Sequence, residues 1–369
     1  MPLVKEQKIV KFKNKKQAKD TSPVAKKLIL LALAVIVALV ISQWNEVVSL
    51  LPKLDNKVYK SAQTDKGEHI IHSFGNKYMA YMGKMGLVVL DKKGREKFSA
   101  NTVIDSPAFS VLDKKIAFAP KGKNTIFMVN SSGKIANFNT NDEIINLKLS
   151  KSGKIVVTTN KKAYNGSVVV YSQRGEPLFV WNAGRCNLLD AALSPDGRKL
   201  AVSVIYTGGQ ELECSVMLFD IEKSEMPYSE KSTGNNFISS INWTDNNTLV
   251  IIGDKSICAL TGKGADKWEY DYGGKVLSAF CAEEKNNIVV ALGHSSLDKE
   301  YTVCSFSSSG RKQGEFVFQQ DILNISTNKN RILITSSLGA QLINKRGRLR
   351  DEITSDKHIY GGYLFEKGI

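Results

Sequence analysis

The sequence predicts an all-β chain: a seven-bladed β-propeller over residues 60–365, preceded by one N-terminal transmembrane helix. Three observations carry this. A short strand–turn–strand phrase recurs seven times, at intervals near forty residues. The strands beside it are apolar on both faces. The chain opens with a lysine-rich tail followed by an uncharged apolar stretch.

The phrase is an apolar strand end, a small polar residue, two more residues and a glycine. It reads Leu90-Asp91-Lys92-Lys93-Gly94, then Val129-Asn130-Ser131-Ser132-Gly133, then Tyr171-Ser172-Gln173-Arg174-Gly175. It returns at Leu260, Phe306 and Ile343; the copy at Phe219-Asp220-Ile221-Glu222-Lys223-Ser224 lacks the glycine. The steps between copies are 39, 42, 48, 41, 46 and 37 residues. A strand-built period of this length is the mark of a propeller, whose blades are four-stranded sheets set around a channel.

Blade four shows the repeat best. Residues 189–193 are its inner strand, and Ser194-Pro195-Asp196-Gly197 is a tight turn. Proline presets φ there, and aspartate and glycine accept turn geometry. Residues 199–204 form the second strand, 215–219 the third, and a fourth is expected near 226–229. The second strands read as unbroken apolar runs, such as 116–119, 249–252 and 288–292. Such runs are buried on both faces, as a blade between two others must be. An open two-sheet sandwich would leave one face wet and force strict alternation. The seventh copy has its own outer strand near 349–353, so residues 57–62 and 358–365 are expected to add strands rather than complete a shared blade.

The stretch Ala192-Leu193-Ser194-Pro195-Asp196-Gly197-Arg198-Lys199-Leu200-Ala201-Val202 resembles the strand–turn–strand signature of WD-repeat and related propellers. The glycine-turn phrase is similar to quinoprotein-like repeats. With the single anchor described next, the chain resembles an uncharacterised family of single-pass Gram-positive membrane proteins with a propeller ectodomain. That resemblance implies a fold and brings no catalytic residue with it.

Residues 1–27 hold nine lysines against Glu6 and Asp20. Residues 28–41 are entirely apolar, and Ser42 and Gln43 lead to Trp44, an interfacial side-chain type. The uncharged stretch 28–45 is near the lower length limit for a spanning helix. The lysine excess before it predicts a cytoplasmic tail and an extracytoplasmic propeller. Residues 46–59 then form a juxtamembrane linker. The rival is a cleaved signal peptide with a small-residue site at Val40-Ile41-Ser42; the long basic segment and the apolar residues continuing to Leu51 favour a retained anchor. The tail has only Phe12 among its lysines, so it offers no base-stacking surface, and no nucleic-acid partner is expected.

The formal net charge is +15, much of it in that tail. Lysine dominates over arginine, whereas specific phosphate readers lean on arginine's planar fork. Arg346, Arg348 and Arg350 form the one arginine cluster, on an outer hairpin of blade seven, and such a run is most simply a solvated face. The five cysteines show no metal-ligand spacing. Cys258 and Cys304 hold equivalent third-strand positions and Cys281 an inner-strand one, which reads as packing. Cys186 and Cys214 precede the first and third strands of blade four, at the same end of the blade. An oxidising compartment would permit a disulfide between them, provided their loops bend together.

No catalytic, cofactor or metal site is legible. His69 and His72, three apart on a strand, point to opposite faces. His294, near Ser295, Ser296 and Asp298, has no nucleophile-elbow context. A quinone cofactor would require adjacent cysteines and an acidic calcium loop, both absent from the sequence. The chain is therefore expected to be a non-enzyme, a binding or scaffold module in the cell envelope that holds a protein or glycan. The alternative is an envelope hydrolase acting on a wall polymer, with two carboxylates facing each other at the channel mouth. The long loops 206–213 and 293–300 and the connection 181–187 place the candidate contact surface on blades four to six. It is centred on Trp181, Arg185, Tyr206 and Glu211, with His294 and Asp298 at its edge.

Overall fold

The computed structural model describes residues 70–364, apart from 76, 84, 92, 285, 286, 296–298 and 357. The expected tail, helix 28–45, linker and segment 57–62 lie outside them, as do His69 and Asp298. Among the described residues no helix is long and apolar enough to cross a membrane.

These residues form seven antiparallel four-stranded sheets, each built from consecutive strands. They are the seven blades, spanning 70–101, 107–139, 143–182, 187–234, 238–271, 276–318 and 324–354. From blade one to blade seven, the first strand of each blade packs against the first strand of the next, and all seven line the channel. Second strands such as Thr248–Gly253 and Asn287–Gly293 are buried throughout, while outer strands such as Asp266–Asp271 alternate. Apolar side chains from facing sheets fill six hydrophobic cores, one between each successive pair of blades from one to seven.

The repeated phrase proves to be a turn with a physical requirement at each position. Asn344 Oδ1 accepts from the N–H groups of Arg346 and Arg348, at 2.9 and 3.0 Å. Asp91, Asn130, Ser172 and Thr261 do the same in their copies. A short side chain with an acceptor oxygen is needed because it satisfies two turn donors at once. The glycine adopts left-handed φ, from +73° at Gly94 to +88° at Gly264. In five of the copies, those at Leu90, Tyr171, Leu260, Phe306 and Ile343, the register slips by one residue beside the turn, a bulge that bends the outer strand. Without that glycine, blade four takes a longer turn. Its outer strand is Ser229–Gly234, starting where the sequence reading expected it to end.

The ring does not close by a shared blade. Blade seven is complete at Thr354, and the described residues of 355–364 contain no strand. The segment instead returns across the end of blade seven, with Ile359 N–H donating to Ser337 O at 2.8 Å. Asn324, opening the inner strand Asn324–Asn328, exchanges two hydrogen bonds with the Gly362 backbone, and Leu364 N–H reaches Ser326 Oγ. Leu364 is buried, and the Tyr363 ring lies 5.7 Å from that of His72 on the inner strand of blade one.

Candidate functional site

The inner strands enclose a channel cavity of about 650 Å³. All seven blades contribute to its wall, as do Tyr360, Gly361 and Tyr363 of the C-terminal segment. The wall is aromatic and hydroxylic, with Phe109, Phe280, Trp243, Ser110 and Ser278, and its charges are Lys148 and Lys151. Among the described residues no carboxylate lines it. The two facing acids that glycoside cleavage requires are therefore missing from the described channel. His72 is set between aromatic rings, 5.7 Å from both Phe109 and Tyr363. Among the described residues no group of three His, Cys, Asp or Glu is arranged to hold a metal ion.

Behind the wall, Asp190 joins three blades. It sits on the inner strand Asn187–Leu193, where one extra residue, Leu189, interrupts the pairing between Leu188 and Asp190. Its carboxylate pairs with Lys148 of blade three and accepts from Ile241 N–H at 2.9 Å and Ser240 Oγ at 3.2 Å in blade five. Lys148 also donates to Ile241 O at 3.1 Å. Asp190 is 7% exposed, so its hydrogen-bonding partners are these groups rather than water. The same one-residue bulge recurs on the inner strands of blades three, five and six. This network was not foreseen; its signal was one acidic residue within the apolar run Leu188-Leu189-Asp190-Ala191-Ala192.

The expected contact residues divide into two kinds. Trp181 is half-buried at the end of the outer strand Pro177–Asn182 of blade three, its ring 5.3 Å from that of Phe219. Tyr206, also half-buried, donates its hydroxyl to Glu230 at 2.7 Å. Burial first, and then that carboxylate, hold its phenol protonated well above the ordinary range. Both rings pack on the core between blades three and four and so serve as supports. Arg185 and Glu211 are exposed, as are Leu212 (56%) in the same loop and Phe237 (45%) on the next connection. The connections that carry Arg185, Glu211, Leu212 and Phe237 all open at the same end of blades four and five. His294 is exposed in the corresponding loop of blade six, beside a stretch outside the described residues.

The expected disulfide is not formed. Cys186 and Cys214 are buried free thiols. Cys186 belongs to the core shared with blade three, and Cys214, inside the strand Glu213–Asp220, to the core shared with blade five. They therefore lie on opposite faces of blade four, and bending a loop cannot join them. Burial raises both thiol pKa values.

The sequence matches the family of unknown function DUF5711 over residues 54–367. The chain belongs to that family. No curated protein matches it. Among solved structures it is similar to the Cps50 (Swd1) β-propeller domain from Myceliophteria thermophila, with a TM-score of 0.54 and 9% identity over 76% of this chain and 96% of that one. A eukaryotic initiation factor aligns with a TM-score of 0.50 and 12% identity, over 81% of this chain and 90% of its own. KlHsv2 with loop 6CD replaced by a Gly-Ser linker aligns with a TM-score of 0.50 and 11% identity, over 67% and 81%. At these identities the likeness is one of fold.

Proposed function

We propose that this DUF5711 propeller is a binding or scaffold module of the cell envelope. In this reading residues 28–45 anchor it, the tail 1–27 is cytoplasmic, and the propeller is extracytoplasmic. A protein or glycan partner docks on the loops of blades four and five. The observation that carries the binding role is the composition of that face: Arg185, Glu211, Leu212 and Phe237 are exposed on connections that open at one end of blades four and five, and Trp181 and Tyr206 at the neighbouring strand ends pack on the core. Aromatic and guanidinium side chains are typical binding anchors, and loops on a rigid scaffold commonly carry them. The channel wall, without carboxylates, gives the hydrolase alternative no acid–base pair.

The test is to replace Arg185, Leu212 and Phe237 together by alanine in the full chain and cross-link intact cells. The adduct formed by the parent protein should disappear while folding is preserved. An identical adduct from the triple variant moves the site elsewhere. Protease added to protoplasts should remove the propeller; survival there, with loss only after permeabilisation, would overturn the orientation.

A further inference from the structure

In an antiparallel blade the connections alternate between two ends. Turns from first to second and from third to fourth strands open on one face; loops from second to third strands and blade-to-blade connections open on the other. Charge is divided unequally between them. On the loop face, basic and acidic connector residues nearly balance. On the turn face, the described carboxylates between strands are Asp113, Glu176, Asp196, Glu222 and Glu225, and the last three belong to blade four; at the adjoining strand end in blade one, Asp91 is paired with Arg95. Along the arc of blades seven, one, two and three, every turn-face connector carries at least one lysine or arginine. None carries an aromatic residue.

Within this arc lies a recess of about 390 Å³, lined by Gly75, Lys114, Lys115, Ser150, Lys151 and Gly153, with Asp113 at its side. It shares Leu112, Leu149, Ser150 and Lys151 with the channel wall and so opens at the channel mouth. Lys115 is held there by a 2.6 Å hydrogen bond to Gln173 Oε1, which leaves further donors on its ammonium. Gly153 makes the room: a Cβ at that position would stand 2.9 Å from Lys115 Nζ. Lys114 and Lys151 are exposed, and among the described residues neither forms an ion pair.

We propose that this arc binds a linear phosphate polymer, with one phosphate seated among Lys114, Lys115 and Lys151. Three ammonium groups around a recess suit a compact multivalent anion, to which lysine binds as a point charge. No aromatic ring projects from the connectors of the arc to stack bases, so the occupant proposed is a polymer without them. A flat bilayer cannot enter the recess. This surface is distinct from the loop face of the proposed partner, and the two readings stand or fall separately.

The experiment titrates the full chain in detergent with inorganic polyphosphate, at about 50 and about 200 mM salt. Lys114→Glu/Lys151→Glu should weaken binding about tenfold or more at the lower salt. The loop-face control Lys121→Glu/Lys123→Glu should match the parent within about twofold. The N-terminal lysines contribute equally to all variants, so the difference reports the arc. Hydrogen exchange should show polyphosphate protecting residues 112–115 and 149–154. Lys114→Gln/Lys151→Gln, with an unchanged melting temperature, should weaken binding in the same direction. Equal losses in both charge-reversal variants, or protection elsewhere, overturn the proposal. So does a recess variant that loses binding to phosphatidylglycerol vesicles but keeps polyphosphate.

Discussion

Removing the Asp190 carboxylate leaves Ile241 N–H and the Ser240 hydroxyl without their acceptor and takes the counter-charge from Lys148, which keeps its bond to Ile241 O. Breaking a buried pair by deleting one partner costs about 3 kcal/mol or more. Asp190→Ala should therefore lower the urea midpoint strongly, and Asp190→Asn, which keeps an acceptor, clearly less. The thiols define a second expectation. Burial, aided by Glu269, pushes Cys258 up to about 12 from an ordinary 9.0, and burial also raises Cys186, Cys214 and Cys304. A raised folded pKa contributes stability that is complete below the unfolded value and lost as pH rises beyond it. Urea stability should decline from pH 9.0 towards 12, and Cys258→Ser should flatten that decline. At this scale the sequence showed where residues lie better than what they do. Trp181 and Tyr206 stand at the loop ends their spacing implied, but Phe219 and Glu230 occupy them, and long-range partners leave no local pattern. Cys186 and Cys214 looked paired because strand direction gives the end of a blade but not its face.

The turn phrase was legible because all its requirements are local: an acceptor at the first polar position and a left-handed residue three later. Its packing role was not, since that involves the neighbouring blade. At Gly310, φ is +80° and an added Cβ would stand 2.3 Å from Cγ of Trp268, whose indole N–H donates to Ser308 O. Gly122 has a similar φ of +73° with nothing within 4 Å. The pair separates backbone strain from clash. Gly122→Ala should cost about 1 kcal/mol from left-handed geometry alone. Gly310→Ala should cost about 3 kcal/mol, since overpacking adds to that strain, and should shift Trp268 fluorescence. Equal losses would mean that the Trp268 contact yields freely. The inner-strand bulges escaped the sequence for a different reason: the extra residue is Ile145 or Leu189 in two blades and Ser239 or Ser278 in two others, so no one residue type marks it.

Across the whole molecule, the blade number followed from the repeat, while the closure depended on contacts between the chain's two ends. Six hydrophobic cores join successive blades, and the described residues form no seventh between blades seven and one. There the C-terminal segment takes over: Gly362 is tied to Asn324, Leu364 to Ser326, and Tyr363 meets His72. A repeat array is stabilised mainly through contacts between neighbours, so an open seam exposes two blades rather than one. Leu364→Ala should cost about 3 kcal/mol, as for other buried leucines. Leu349→Ala, on the outer strand of blade seven and 48% exposed, should cost well under that. The location of the damage is the sharper readout. In Leu364→Ala/Tyr363→Ala, hydrogen exchange should quicken first in residues 70–101 and 324–354, the two blades at the seam, while blade four stays protected. Uniform acceleration in all seven blades would show instead that the ring opens only as a whole, with the C-terminal segment contributing no more at the seam than any other part of the core.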